Sequence, residues 1–101
     1  MTVVTSELLR LLPKTELHCH LDGCVRPATL LELAAEYDKP MPADDAGALA
    51  QYMLVDDAEN LEVYLERFSV TLSVMQTAEA LERIAYELAE DAAREGVRYL
   101  E

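Results

Sequence analysis

Pro13-Lys14-Thr15-Glu16-Leu17-His18-Cys19-His20-Leu21-Asp22-Gly23 is the stretch on which the reading of this chain turns. The segment from Thr15 to Leu21 predicts a strand. Successive side chains of a strand point to opposite faces, so Leu17, Cys19 and Leu21 share one face and Glu16, His18 and His20 the other. Asp22-Gly23 ends it. The two histidines are the only ones in the chain, and their spacing lets two imidazoles converge on one ion. Zinc favours neutral nitrogen ligands at about 2.0–2.1 Å. Taken alone, the same spacing also fits two satisfied core histidines. Asp22 adds a carboxylate beside the pair, and Gly23 permits a sharp turn or a close approach of a ligand to the backbone, although Asp-Gly is also a plain turn. Two histidines do not complete a catalytic zinc site, which usually has three protein ligands and one open position. Cys19 is expected on the opposite face. Cys24 could reach around the turn. Glu101 either faces the same cavity from a second strand or is simply a solvated acid.

Working outward, Ser6 is placed to cap a short helix through Leu12, which Pro13 stops. Pro27 suits the first turn of a helix running to about Tyr37, with Leu30, Leu31, Leu33 and Ala34 on its apolar side. Lys39-Pro40-Met41-Pro42 is a loop. A short helix over Ala46 to Met53 and an acidic turn at Asp56-Asp57 follow. Leu61, Tyr64, Leu65, Phe68, Leu72 and Met75 form one helical stripe. Thr77 caps a last helix to about Glu95, whose expected buried face is Leu81, Ile84, Ala85, Leu88 and Ala92. Glu79–Arg83 and Glu90–Arg94 are favourably ordered four-residue pairs. Gly96 is a natural C-terminal cap, and Val97 to Glu101 reads as a second strand. Strand, helices, strand implies a parallel pair with a right-handed crossover. Parallel sheets need both faces covered. The expectation is therefore an α/β fold, a strand–helices–strand portion of a larger barrel; a small helical domain with two frayed ends is the competing view.

The composition is globular: 51% hydrophobic and 28% charged over 101 residues, room for one core and one domain. A net charge of -12 repels nucleic-acid phosphates and anionic lipid, so neither nucleic acid nor membrane is expected as a partner. The acids fall mostly on the outer faces of predicted helices, where they serve solubility. No apolar run approaches the ~18 residues of a membrane span, and the short apolar run near Leu8–Leu12 is interrupted by charge, unlike a secretory signal. A cytoplasmic location follows as the expectation, with Cys19 and Cys24 as thiols and neither a disulfide framework nor a CxxC pair.

The stretch from Pro13 to Gly23, followed by Arg26-Pro27-Ala28-Thr29-Leu30-Leu31-Glu32-Leu33-Ala34, resembles the opening of adenosine deaminases. Arg83-Ile84-Ala85-Tyr86-Glu87-Leu88 and Glu95-Gly96-Val97-Arg98-Tyr99-Leu100-Glu101 resemble that family's helix leading into its second barrel strand. The resemblance covers nearly the whole chain in order, and Cys19 and Cys24 fall at positions that vary in the family. It implies the amino-terminal part of a (β/α)8 TIM barrel of the metal-dependent amidohydrolase type. His18 and His20 would be two zinc ligands, with His20 also against the substrate and Asp22 hydrogen-bonded to the nucleoside sugar. The helix carrying Leu61, Tyr64, Leu65 and Phe68 resembles an apolar gate over the purine pocket, a stripe that ordinary core packing explains equally. The implied reaction is hydrolytic deamination of adenosine, and of deoxyadenosine, to inosine and ammonia in purine salvage. The general-acid glutamate and the water-orienting histidine and aspartate are expected downstream of Glu101, so the 101 residues alone are expected to be inactive. The His-x-Glu and Pro-Cys-x-x-Cys of cytidine-type deaminases do not occur.

Two other readings stay open on the sequence. One is a related amidohydrolase acting on adenine or a modified adenine nucleoside, against which Asp22 speaks, because a free base offers no sugar hydroxyl to it. The other is a non-catalytic helical interaction module with a structural histidine pair. The sequence fixes no oligomeric state.

Overall fold

The computed structural model describes residues 3–54 and 59–101, and they form a mixed helix and strand unit. In order these are helix α1 (Ser6–Leu11), strand β1 (Lys14–Glu16), a single 3-10 turn (Leu21–Gly23), helices α2 (Pro27–Glu36), α3 (Ala46–Met53), α4 (Leu61–Leu72) and α5 (Ala78–Arg94), and strand β2 (Val97–Leu100). The strands pair in parallel as the crossover requires, Lys14 opposite Val97, Thr15 opposite Tyr99 and Glu16 opposite Leu100, with an irregularity after Lys14. None of the helices among the described residues is long and apolar enough to cross a membrane.

Helix ends follow local chemistry. Asp45, Asn60 and Thr77 accept from the backbone N–H three residues on, satisfying donors that a first turn leaves orphaned. Thr5, rather than the expected Ser6, caps α1 by accepting from Leu8 N at 3.1 Å; Ser6 is already helical. Pro27 opens α2 as predicted. That helix ends with Asp38 at φ 55°, and Lys39 N donates to Ala34 O at 2.8 Å, a Schellman closure. Gly96 closes α5 at φ +79°. The acidic turn expected at Asp56-Asp57 lies outside the described residues.

The core joins Leu30, Leu33 and Ala34 of α2 to Leu49 of α3, Val74 beyond α4, and Ala80 and Ile84 of α5. Two expected stripes are corrected. On α5 the buried pair is Ala80 and Ile84, with Leu88 and Ala92 half-buried, while Leu81 and Ala85 are exposed. The helix is rolled because α2 grips it through polar groups on the neighbouring face. Arg26 donates from Nη2 to Asp91 Oδ1 and Glu90 Oε1, both at 2.7 Å, and from Nε to Asp91 Oδ2 at 3.0 Å. Thr29 donates to Glu87. Arg83 turns to Glu87 at 2.8 Å and Glu32 at 2.6 Å, not to Glu79, whereas Glu90–Arg94 forms as expected at 3.3 Å. On α4, which ends at Leu72 and not Met75, Leu61, Leu65 and Leu72 are exposed and Thr71 is the buried residue.

The clamp sets the acid behaviour. The hydrogen bond from Arg26 and its charge hold the Asp91 carboxyl below its ordinary value. Burial pushes Glu87 up, but hydrogen bonds from Thr29 and Arg83 and the charges of Arg83 and Arg26 outweigh it and leave Glu87 lowered. A lowered native pKa stabilises above the unfolded value and is lost as pH falls through the native one. The clamp's contribution to stability should therefore be fully present above pH about 4.5, the ordinary glutamate range, and decline below it. In the full-length protein, Arg26→Gln should flatten this decline in a pH series of denaturation midpoints; an unaltered acid limb would show that the clamp is energetically silent.

At Gly96 a Cβ would lie 2.5 Å from Arg10 O and 3.0 Å from Leu12 O. Gly96→Ala should cost about 2 kcal/mol or more, from positive φ and the clash together, read as a lowered denaturation midpoint.

Candidate functional site

β1 is shorter than the strand expected over Thr15–Leu21: its ladder stops at Glu16 and the backbone bends at Leu17. Beyond Glu16 the contact continues through Glu101 alone, whose N donates to Glu16 O at 3.0 Å and whose O accepts from Cys19 N at 2.9 Å. That last bond keeps the following backbone drawn out, with His20 at φ -100°, ψ 123°. Leu21–Gly23 then turns back, with Gly23 N donating to His20 O at 3.0 Å and Cys24 N to Leu21 O at 3.1 Å.

The alternation survives the lost ladder. His18 and His20 point the same way, their Nε2 atoms 2.9 Å apart and their rings stacked at 4.9 Å between centroids. Two ligands of a tetrahedral zinc ion at about 2.0–2.1 Å would stand roughly 3.3 Å apart, so the pair fits as two of the donors. Among the described residues no cluster of three or more histidine, cysteine or acidic side chains is arranged to hold a metal, so these residues supply a pair and not a full set. Glu16 reaches the same side, its Oε1 accepting from His18 N at 3.3 Å.

The pair borders a cavity of about 400 Å³ walled by Glu16, Asp22, Gly23, Leu30, Met53 and, from α4, Tyr64, Arg67, Phe68 and Thr71. That volume is within the range of small-molecule sites, about 300–1,000 Å³. Phe68 lies over the turn, 3.4 Å from where a Cβ on Gly23 would stand, and Tyr64 sits beside it at 5.8 Å between ring centroids. Of the four residues expected on the gate, the structure brings Tyr64 and Phe68 to the cavity. Leu61 and Leu65 lie outside its walls, 69% and 51% exposed. Arg67 was not anticipated. It donates to Tyr52 O and Leu54 O and stacks over the Tyr52 ring at 4.8 Å, tying α4 to the end of α3. Tyr64, Arg67, Phe68 and Thr71 are spaced i, i+3, i+4, i+7, so a second helical face was present in the sequence beside the apolar one.

Cys19 and Cys24 are free thiols with their sulfurs 3.2 Å apart. Cys19, expected to face away from the histidines, borders both this cavity and the cleft between β1 and α5. Burial, then the contact with Cys19, then the charges of Asp22 and Glu16 push the Cys24 thiol up to about 12. Cys24 is thus held neutral, unlike a metal-binding thiolate. Glu101 is not among the cavity walls; its carboxylate accepts from Tyr99 OH at 2.6 Å.

A histidine pair, a carboxylate and a ligand-sized cavity at the carboxyl end of a parallel strand are the arrangement of an α/β enzyme site. Comparison with known proteins makes the class specific. Residues 13–101 match the adenosine deaminase family. The adenosine deaminase of Vibrio atlanticus is 52% identical over 90 residues, 89% of this chain and 27% of that protein. That of Vibrio vulnificus is 53% identical over 91 residues, 89% and 28%; that of Clostridium botulinum is 46% identical over 91 residues, again 89% and 28%. The chain belongs to the adenosine deaminase family, a family of hydrolytic deaminases, and spans a little over a quarter of the length of these bacterial relatives.

Proposed function

We propose that these 101 residues are the amino-terminal segment of a zinc-dependent adenosine deaminase with a (β/α)8 barrel, which converts adenosine and deoxyadenosine to inosine and ammonia in cytoplasmic purine salvage. The observation that carries the reading is the convergence of His18 and His20 at 2.9 Å on the wall of a cavity that also holds Asp22. Exposed apolar residues on and beside the two strands, among them Tyr99 within β2 and Leu17 just after β1, support further strands and helices packing there.

His18 and His20 would hold the zinc through Nε2. A zinc ion held there would supply a water acidified toward neutrality, the nucleophile that attack on the amine-bearing purine carbon needs. The chain's own residues do the positioning. Asp22 accepts from a sugar hydroxyl, which favours a nucleoside over a free base. His20 lies against the substrate. Tyr64 and Phe68 offer flat apolar faces to the purine and exclude water from it. The general-acid glutamate and the remaining histidine and aspartate come from the part of the family's length that these residues do not span.

In the full-length protein, His18→Ala and His20→Ala should each lower zinc content, measured by elemental mass spectrometry, and cut turnover by orders of magnitude. Wild-type zinc content in both would overturn the assignment. Asp22→Ala removes a charged hydrogen bond and should reduce kcat/KM for adenosine by about 10- to 100-fold with zinc content unchanged; undiminished efficiency would remove its role.

A further inference from the structure

Beside the histidine pair two thiols meet that the proposed reaction does not use. Cys19 Sγ and Cys24 Sγ are 3.2 Å apart, both are half-buried and both border the cavity. Buried free cysteines more often act as small apolar residues, but neither of these belongs to the core cluster. The geometry points to Cys19 and Cys24 as a reversible thiol–disulfide site, closed by a peroxide-class oxidant, whose bond rings the turn that carries His20 and Asp22.

Three features carry this. First, proximity: disulfide sulfurs stand about 2.05 Å apart, so the pair must close by only about 1.2 Å (3.2 minus 2.05). Second, the fold makes the approach. The bonds Gly23 N to His20 O and Cys24 N to Leu21 O reverse the chain, so residues five apart in sequence face each other. Third, access: the cavity is wide enough, at about 400 Å³, for a small oxidant to reach the sulfurs.

The chemistry balances with one peroxide. The Cys19 sulfur, as its thiolate, attacks a peroxide oxygen, the O–O bond breaks, that sulfur becomes a sulfenic acid, and the departing hydroxide takes up the thiol's proton as the first water. The sulfur of Cys24, held as the neutral thiol, displaces the hydroxyl, the S–S bond forms, and the Cys24 proton leaves with that hydroxyl as the second water. The two thiols together give up two electrons and two protons, and hydrogen peroxide takes them. A dithiol reverses the change by exchange. In a reducing compartment such a bond is transient and signals oxidation.

The ring holds His20 and Asp22 within it, so the movement of the sulfurs is absorbed by the turn between them. A displacement of about 1 Å at a positioning group costs up to about 10²-fold in rate. This effect on turnover rests on the function proposed above; formation of the bond does not.

The test treats the purified full-length protein with hydrogen peroxide, alkylates the remaining thiols, and maps its peptides without reduction. Expected is a Cys19–Cys24 cross-link about 2 Da lighter than the dithiol form, with both alkylation sites lost together and restored by dithiothreitol. Adenosine turnover should fall at least about tenfold and recover with the thiols, while Cys24→Ser should show no peroxide effect on its own turnover. Two thiols that stay independently alkylable, or sulfinic acid without a cross-link, would overturn the site, and this mapping needs no variant to fold. A cross-link with full turnover would overturn control of the Asp22 turn. A protein that cross-links but never deaminates adenosine sinks the proposed function and leaves the thiol site standing.

Discussion

The bond from Cys19 N to Glu101 O is where the backbone's demand for partners meets the site. A segment leaving a strand has unsatisfied N–H groups, and without a partner it coils or turns. Here Glu101, the residue following β2, captures the amide lying between the two histidines. The backbone around Cys19 stays drawn out, and side chains two apart on a drawn-out backbone fall on one side. The convergence of His18 and His20 is thus a consequence of a parallel pairing whose other half comes from the far end of the chain. In between, α2 through α5 supply the crossover that brings β2 back.

The other end of the histidine segment is anchored differently. After the 3-10 turn the chain enters α2 through Arg26, which is locked to Glu90 and Asp91 of α5. The turn bearing Asp22 is therefore suspended between a sheet bond and an ionic clamp, both made to the α5–β2 unit. Individual exposed ion pairs contribute little. This one is a network of one guanidinium with several carboxylates, half-shielded and bidentate, the geometry in which Arg pairs are most specific. Its value is directional: it fixes where α2 begins and so where the turn must end.

Much of this was legible in the sequence. The helix beginning at Pro27, the bounds of α3, the Thr77 cap, the Gly96 stop and the parallel strands all follow from local signals that the tertiary structure had no reason to override. The histidine convergence was legible too, from alternation alone. Two of the failures have a common cause. The roll of α5 and the exposed side of α4 each depend on which of two adjacent, similarly composed faces meets a neighbour, whereas Thr5 in place of Ser6 is a one-residue shift in where a locally capped helix begins. Polar grip decided it on α5: Glu87 and Asp91 face α2 because Thr29 and Arg26 are there, and a stripe drawn through apolar residues only cannot register that. On α4 the cavity face runs through Arg67 and Thr71 as well as Tyr64 and Phe68, so a hydrophobic pattern found half of it.

The histidine contact itself carries a further constraint. Two imidazole nitrogens at 2.9 Å are at hydrogen-bond distance. That contact is attractive only when one Nε2 carries a proton and the other offers its lone pair. Two bare lone pairs, or two protons, at that distance repel. For the two nitrogens to serve one tetrahedral zinc ion, as the proposed function requires, the rings would need to part by only a few tenths of an ångström, to roughly 3.3 Å. The backbone that holds them is already extended and bonded to Glu101, so an ion bound between them, as proposed, would leave little conformational entropy to lose. The preorganisation lies in the parallel pairing, not in the rings, and it is the reason a tripeptide with no ladder of its own presents two imidazoles on one side.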